Sequence, residues 1–291
     1  MKLLSVDVED YYHVESFSDV IPRTQWEQHS SRVEANTQRL LDLFDESGAR
    51  GTFFILGWVA ERHPRLVREI ASRGHEVGCH SYWHRLIFRL DQAEFEADTR
   101  RSKDVIEQAA GCAVHGYRAP SYSITTRSLW AFESLIAAGF TYDSSVFPIH
   151  HDVYGIPDAP RQPFRVITPS GTLLEFPLTT FRLGGAHNFP VGGGGYLRIL
   201  PLWYTRLGFA RASAQGVPLI VNVHPWEIDP EQPRLAGRRL SRLRHYTNLA
   251  RTSDKLRRVL RDGDFSGFGA HARTETRRDI DLRTWMMNAT R

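Results

Sequence analysis

Gly51-Thr52-Phe53-Phe54-Ile55-Leu56 is followed by Pro64, by Leu66, Val67 and Ile70 at helical spacing, by Gly74, and then by His75-Glu76-Val77-Gly78-Cys79-His80. The first run is continuously apolar, as a strand buried on both faces of a parallel sheet must be. Pro64 suits a first helical turn, because its ring presets φ and its missing N–H is not needed there, and Gly74 stops the helix. Strand, helix and strand in that order form the repeating unit of a parallel α/β sheet.

The alternation continues on both sides. Leu3–Asp7 reads as a first strand, and Val33, Thr37, Leu40, Leu41 and Phe44 form the apolar stripe of a helix over Val33–Glu46 that Gly48 ends. Downstream, a helix over Asp91–Ala110, a strand Val114–Arg118, a helix Thr126–Ala138 and a strand Phe140–Asp143 are expected. Leu219–His224 is a further buried strand, and Ser241–Arg261 reads as one long amphipathic helix. Between Phe147 and Pro218 repeated prolines loosen the pattern, and Gly192–Gly195 reads as a mobile loop. After Phe268 the polar, aperiodic stretch through Arg278 reads as a loose tail.

A chain of 291 residues can bury one large core. Its formal charge of +4 comes from 37 basic against 33 acidic residues. The excess sits after Pro233, where Arg238, Arg239, Arg242, Arg244, Arg257, Arg258 and Arg261 crowd together. With no nucleic-acid motif beside it, this region reads as a solvated helix face that could also attract an anionic polymer. Two cysteines imply no disulfide framework, and Cys79 reads as a small buried apolar residue rather than a ligand. A strand-like N-terminus without an apolar leader, and no stretch able to span a membrane, give the cytoplasm as the expected location.

Asp7, His80, Arg118, Asp143 and His224 all fall at C-terminal ends of expected strands. In α/β barrels that rim carries the chemistry. His80 and His84, one helical turn apart in the expected structure, offer two imidazoles; with one carboxylate they form a cradle for a zinc-like cation that keeps a position open for water. The acidic run Asp7-Val8-Glu9-Asp10 supplies that carboxylate and a base. Glu9 shares a strand face with Asp7, and Asp10 joins it if the strand has already turned, so both stand as the third metal ligand. The His-Glu-x-x-His pattern of zinc peptidases is absent, so the base, Asp7, comes from a different segment.

Ser5-Val6-Asp7-Val8-Glu9-Asp10, His80-Ser81-Tyr82-Trp83-His84, Arg118-Ala119-Pro120, Tyr142-Asp143-Ser144-Ser145 and Val223-His224 resemble, in order and spacing, the five motifs of the polysaccharide deacetylases, the NodB-homology domains of carbohydrate esterase family four. More narrowly, the chain resembles the members beside exosortase/PEP-CTERM exopolysaccharide loci, whose C-terminal extension is similar to His224 through Asn248. The resemblance implies an α/β fold, a distorted (β/α)7 barrel over residues 1–230, with a helical extension over 231–268 and a tail over 269–291. It implies one divalent metal ion, Zn2+ first, with Co2+, Ni2+ or Mn2+ as alternatives, held by His80, His84 and Glu9 or Asp10. Asp7 matches the catalytic base, His224 the general acid, Arg118 the residue that orients the base, and Asp143 the partner of the acid histidine. The implied reaction removes N-acetyl groups from amino-sugar units of an exopolysaccharide or its precursor, beside a membrane polysaccharide-synthesis complex. An intervening Val8 and a Tyr122 displaced by one place depart from the family pattern. Similar departures occur in the allantoinase-like branch, so cyclic-amide hydrolysis and an inactive carbohydrate-binding homologue are the alternatives.

Overall fold

The computed structural model describes residues 1–272 and 278–289. Its strands are β1 (Lys2–Val8), β2 (Thr52–Ile55), β3 (Glu76–Cys79), β4 (Gly116–Tyr117), β5 (Tyr142–Asp143), β6 (Phe164–Thr168), β7 (Gly171–Glu175), β8 (Thr180–Phe181), β9 (Phe189–Pro190), β10 (Leu219–Val223) and β11 (Asp279–Asp281). The main sheet runs β10-β1-β2-β3-β4-β5-β7-β6-β11. From β10 to β7 all neighbours are parallel, while β6 turns back antiparallel on β7. β8 and β9 form a separate small hairpin.

The seven parallel strands curl into a distorted barrel. Arg118, just past β4, reaches across to Asn222 of β10 at 2.7 Å although three strands separate them in the sheet order. The barrel interior is packed with Leu3, Phe54, Tyr142, Leu174, Phe176 and Ile220, and Phe268 is driven into the same cluster. Phe268 stacks on Tyr142 at 6.0 Å, and its N–H donates to Thr52 Oγ1 at 2.8 Å. A second, larger cluster lies between the sheet and the surrounding helices. Helix Val33–Ser47 buries Val33, Thr37, Leu40, Leu41 and Phe44, the stripe read from the sequence, and Gly48 ends it at φ +68°.

Four expectations change. The single helix over Ser241–Arg261 is two helices, Arg239–Tyr246 and Leu249–Leu260. Asn248 breaks it with a left-handed φ of +61°, which asparagine tolerates, and its side-chain amide donates to the carbonyls of Arg198 and Ile199. The helix expected over Thr126–Ala138 covers only Ala131–Ala137. Gly192–Gly195 is not a free loop: Gly193 bridges Asn222 beside β10, the Gly192 carbonyl accepts from Asn222 N at 2.9 Å, and a short helix starts at Gly194. The expected tail is partly folded, because β11 pairs with β6 and Trp285 of helix Leu282–Ala289 stacks on Phe132 at 5.8 Å. Residues 273–277 of that expected tail lie outside the described residues. Among the described residues, no helix is long and apolar enough to cross a membrane.

Candidate active site

His80 follows β3, and its backbone N–H donates to the Ile55 carbonyl at 2.9 Å. Its Nδ1 lies 2.8 Å from the Arg118 carbonyl, which can only accept, so Nδ1 carries the proton and Nε2 is left as a donor atom for a metal. The step from His80 to His84 is not a helical turn. Ser81 and His84 sit at left-handed φ of +61° and +52°. That bend is pinned from outside: Gly57 N and Ser102 Oγ both donate to the Ser81 carbonyl at 2.9 Å, and Tyr82 N donates to Asp98 Oδ2 at 2.7 Å. The two imidazoles end with ring centres 5.4 Å apart.

Glu9 completes this pair. The donor atoms of Glu9, His80 and His84 lie within 4.8 Å of one another and all three residues are buried. His84 Nε2 is 2.8 Å from Glu9 Oε2, yet Oε2 has no aligned hydrogen-bond donor. Burial pulls the His80 imidazole down to about 4, so it is neutral. Burial also works to protonate Glu9, but the neighbouring His84, with His224 behind it, holds the carboxyl well below the usual range. One ionised carboxylate with an orphaned buried oxygen, beside two imidazoles, is the donor chemistry of a divalent cation site.

Asp10 lies outside this group, because its carboxylate is already occupied. Oδ2 accepts from Ser31 Oγ (2.8 Å), Arg32 N (2.8 Å) and Val33 N (3.1 Å), and Oδ1 accepts from Tyr11 N (3.1 Å). It therefore satisfies the first N–H groups of helix Val33–Ser47, a capping role supplied from a distant strand end.

Asp7 stands between a cation and an imidazole. Arg118 Nη1 donates to Oδ1 at 2.9 Å, Asn222 Nδ2 donates to Oδ2 at 3.0 Å, and His224 Nε2 is 3.6 Å from Oδ2. Burial raises the Asp7 pKa, and the Arg118 guanidinium, with His224 beside it, outweighs burial, so Asp7 is ionised. Arg118 is fully buried and satisfied by Ser5 Oγ, Asn222 Oδ1, Ser144 Oγ and the Ser144 carbonyl as well. Its guanidinium also lies over the Phe54 ring at 4.3 Å.

His224 has a carboxylate partner other than the expected one. Asp143 is bound to Ser145, which donates to it through Oγ at 2.7 Å and N at 3.1 Å, and it pairs across the sheet with Glu175. Burial raises the Asp143 carboxyl to about 6 although Glu175 and Ser145 work the other way, and burial together with the neighbouring Asp143 raises Glu175 well above its usual range, so Glu175 is the protonated partner. Glu227 fills the role instead: His224 Nδ1 is 3.0 Å from Glu227 Oε2, and Glu227 Oε1 accepts from Arg198 Nε at 2.9 Å. Burial alone would lower the His224 pKa; the contact with Glu227, aided by Glu9 and Asp7, raises it to about 9. Glu227 sits three residues after His224 on a short 3-10 turn, a spacing visible in the sequence. Its distinction from Asp143 depends on which way the chain turns after β10.

Asp7, Glu9, His80, His84 and His224 line one cleft of about 180 Å³ with Tyr122, Phe147, Tyr154, Tyr196 and Trp226 as aromatic walls. Trp226 stacks on His224 at 5.1 Å and donates through Nε1 to Glu9 Oε1 at 3.1 Å. Tyr122 Oη accepts from Asn222 Nδ2 at 2.8 Å, so its own O–H is free to donate into the cleft. Gly194, at φ +41°, borders His224: a Cβ there would come within 3.4 Å of the imidazole. Sequence reasoning missed Asn222, Glu227, Tyr196 and the role of Gly194, because each lies outside the five motifs; for Glu227 the three-residue spacing from His224 was the signal that could have found it.

Two family models match separate spans of the chain, and Asp7 and Glu9 precede both. A polysaccharide deacetylase model matches residues 23–140, and a domain of unknown function, DUF3473, matches residues 144–272. His80, His84 and Arg118 fall in the first span, whereas Asn222, His224 and Glu227 fall in the second. A peptidoglycan-N-acetylglucosamine deacetylase of Bacillus cereus is 32% identical over 98 residues, covering 33% of this chain and 36% of the relative. A chitooligosaccharide deacetylase of Rhizobium leguminosarum bv. trifolii is 30% identical over 97 residues, covering 32% of this chain and 45% of the relative. The chain thus spans less than half the length of these curated relatives. A crystal structure from Mycobacterium smegmatis, provisionally named a polysaccharide deacetylase, shares the fold with a TM-score of 0.60 and 21% identity, covering 94% of this chain and 90% of that one.

Proposed function

We propose, on the premise of a polysaccharide deacetylase match over residues 23–140, that this chain is a hydrolase removing N-acetyl groups from amino-sugar units of a glycan. The observation that carries the reading is convergence in one cleft: a Glu9/His80/His84 donor set, an ionised Asp7, and a His224 held protonated by Glu227. Glu9, His80 and His84 would hold a divalent cation, Zn2+ first, which when bound supplies Lewis-acid polarisation of a carbonyl and makes water a stronger acid.

The chain's own residues carry the protons. Asp7, kept ionised and oriented by Arg118 and Asn222, takes the proton of the attacking water at Oδ2, the oxygen facing His224. His224, protonated at neutral pH, gives its Nε2 proton to the departing nitrogen, which is a poor leaving group as an anion. The Tyr122 O–H is placed to donate to a developing oxyanion, the task of the displaced third motif. The aromatic walls fit the apolar faces of a sugar ring, and an exopolysaccharide of the exosortase/PEP-CTERM kind, or its lipid-linked precursor, is the substrate we favour.

Acetate release from chitooligosaccharides, measured with and without added Zn2+ or Co2+, tests the reading. Metal-stimulated release that a chelator abolishes and Asp7→Ala removes is expected. Turnover of cyclic ureides with no acetate release, or glycan binding without any turnover, would replace it with one of the two alternatives.

A further inference from the structure

Helix Arg239–Tyr246 is oriented opposite to an ordinary surface helix. Its buried residue is His245, whereas Leu240 and Leu243 are 56% and 65% exposed. At 100° per residue both leucines point away from His245, and Arg239 and Arg244 flank them on the same outward arc. Arg239, Arg242 and Arg244 are exposed and form no ion pair among the described residues. A surface helix normally turns its leucines to the core.

The helix sits at the edge of the cleft. His245 stacks on Trp226 at 4.2 Å, and Trp226 is a cleft wall. The charge of Arg244 acts on His151, which stacks at 3.8 Å on Tyr154, another cleft wall. Val153, between those two residues, is itself 38% exposed.

We propose that this helix docks the protein on an anionic lipid surface, with Leu240 and Leu243 entering the headgroup boundary and the flanking arginines meeting lipid phosphates. Leucines bordered by unpaired arginines are the composition of an interfacial helix, whose attraction combines buried apolar area with charge. A second copy of the chain fits worse. A two-fold contact would set the arginine patch against itself, and two leucines fall far short of the roughly 800 Å² per partner of a stable interface. A nucleic acid would meet the arginines but leave the leucines without a partner. Docking by this helix would hold the cleft beside the bilayer, where a lipid-linked amino sugar presents its headgroup. That consequence rests on the proposed deacetylase reading, and the docking itself does not.

Flotation of the full chain with vesicles of phosphatidylcholine, or of phosphatidylcholine mixed with phosphatidylglycerol, is the test. Binding to the mixed vesicles only, weakened by salt and reduced roughly tenfold or more in Leu240→Ser/Leu243→Ser, is expected. Arg239→Glu/Arg244→Glu should abolish it, while acetate release from a soluble chitooligosaccharide stays unchanged in both variants. Equal binding to both vesicle types, or mixed-vesicle binding unaffected by the variants, overturns the proposal. So does no binding together with a concentration-dependent dimer that Leu240→Ser/Leu243→Ser dissolves. Loss of acetate release in the unmodified chain, with vesicle binding intact, would remove the deacetylase reading and leave the docking face standing.

Discussion

Glu9 and Asp10 are adjacent acids with opposite surroundings, and their difference can be measured. Glu9→Gln removes the one carboxylate of the donor set, so cation uptake measured by calorimetry should fall by at least tenfold, with Asp10→Asn leaving it near the parent value. Asp7→Asn should lower kcat on the order of 10²–10⁴-fold while the cation still binds, if Asp7 acts as the proposed proton acceptor from outside the donor set. On the proposed mechanism Glu227 governs the alkaline limb of the pH profile. A raised His224 pKa means the protonated acid is present below about 9 and is lost as pH rises through that value. Without the Glu227 charge the imidazole loses its proton at lower pH, so Glu227→Gln should move the limb downward; an unchanged limb would show that Glu227 does not govern His224.

The elements around the site are stabilised by residues that look catalytic in sequence. Asp10 caps helix Val33–Ser47 from the end of β1. Asp10→Ala should therefore destabilise the fold by about 1–2 kcal/mol in urea unfolding, with the surviving folded protein still active. The His80–His84 bend depends on Asp98 and Ser102 of helix Gln92–Ala110, which clamp the backbone of Ser81 and Tyr82. Strand and helix periodicity located these elements correctly to within a few residues. It could not see the left-handed turns at Ser81, His84 and Asn248, because none of them carries a glycine to mark the turn. Nor could it show that Arg239–Tyr246 faces its leucines outward, since periodicity reports an apolar stripe and not its direction.

For the whole molecule, closure of the barrel depends on chain that lies far from the motifs. Phe268 fills the interior beneath the site, so Phe268→Ala should cost about 3–5 kcal/mol and impair cation uptake together with stability. A cation held by Glu9, His80 and His84 in the native state alone should raise the melting temperature when added and lower it on chelation, read by calorimetric scanning. The sequence by itself determined the parallel α/β plan and the strand-end placement of Asp7, His80, Arg118 and His224. That plan and placement are carried by local periodicity, whereas the roles proposed for these residues were implied by the family resemblance. Only the tertiary structure decided that Glu9 rather than Asp10 joins the histidines, that Glu227 rather than Asp143 supports His224, and that Asn222 and Gly194 border the reacting space. Those choices turn on which side chains the curled sheet brings within a few ångströms, and side-chain direction at a strand end is set by long-range packing that no local pattern encodes.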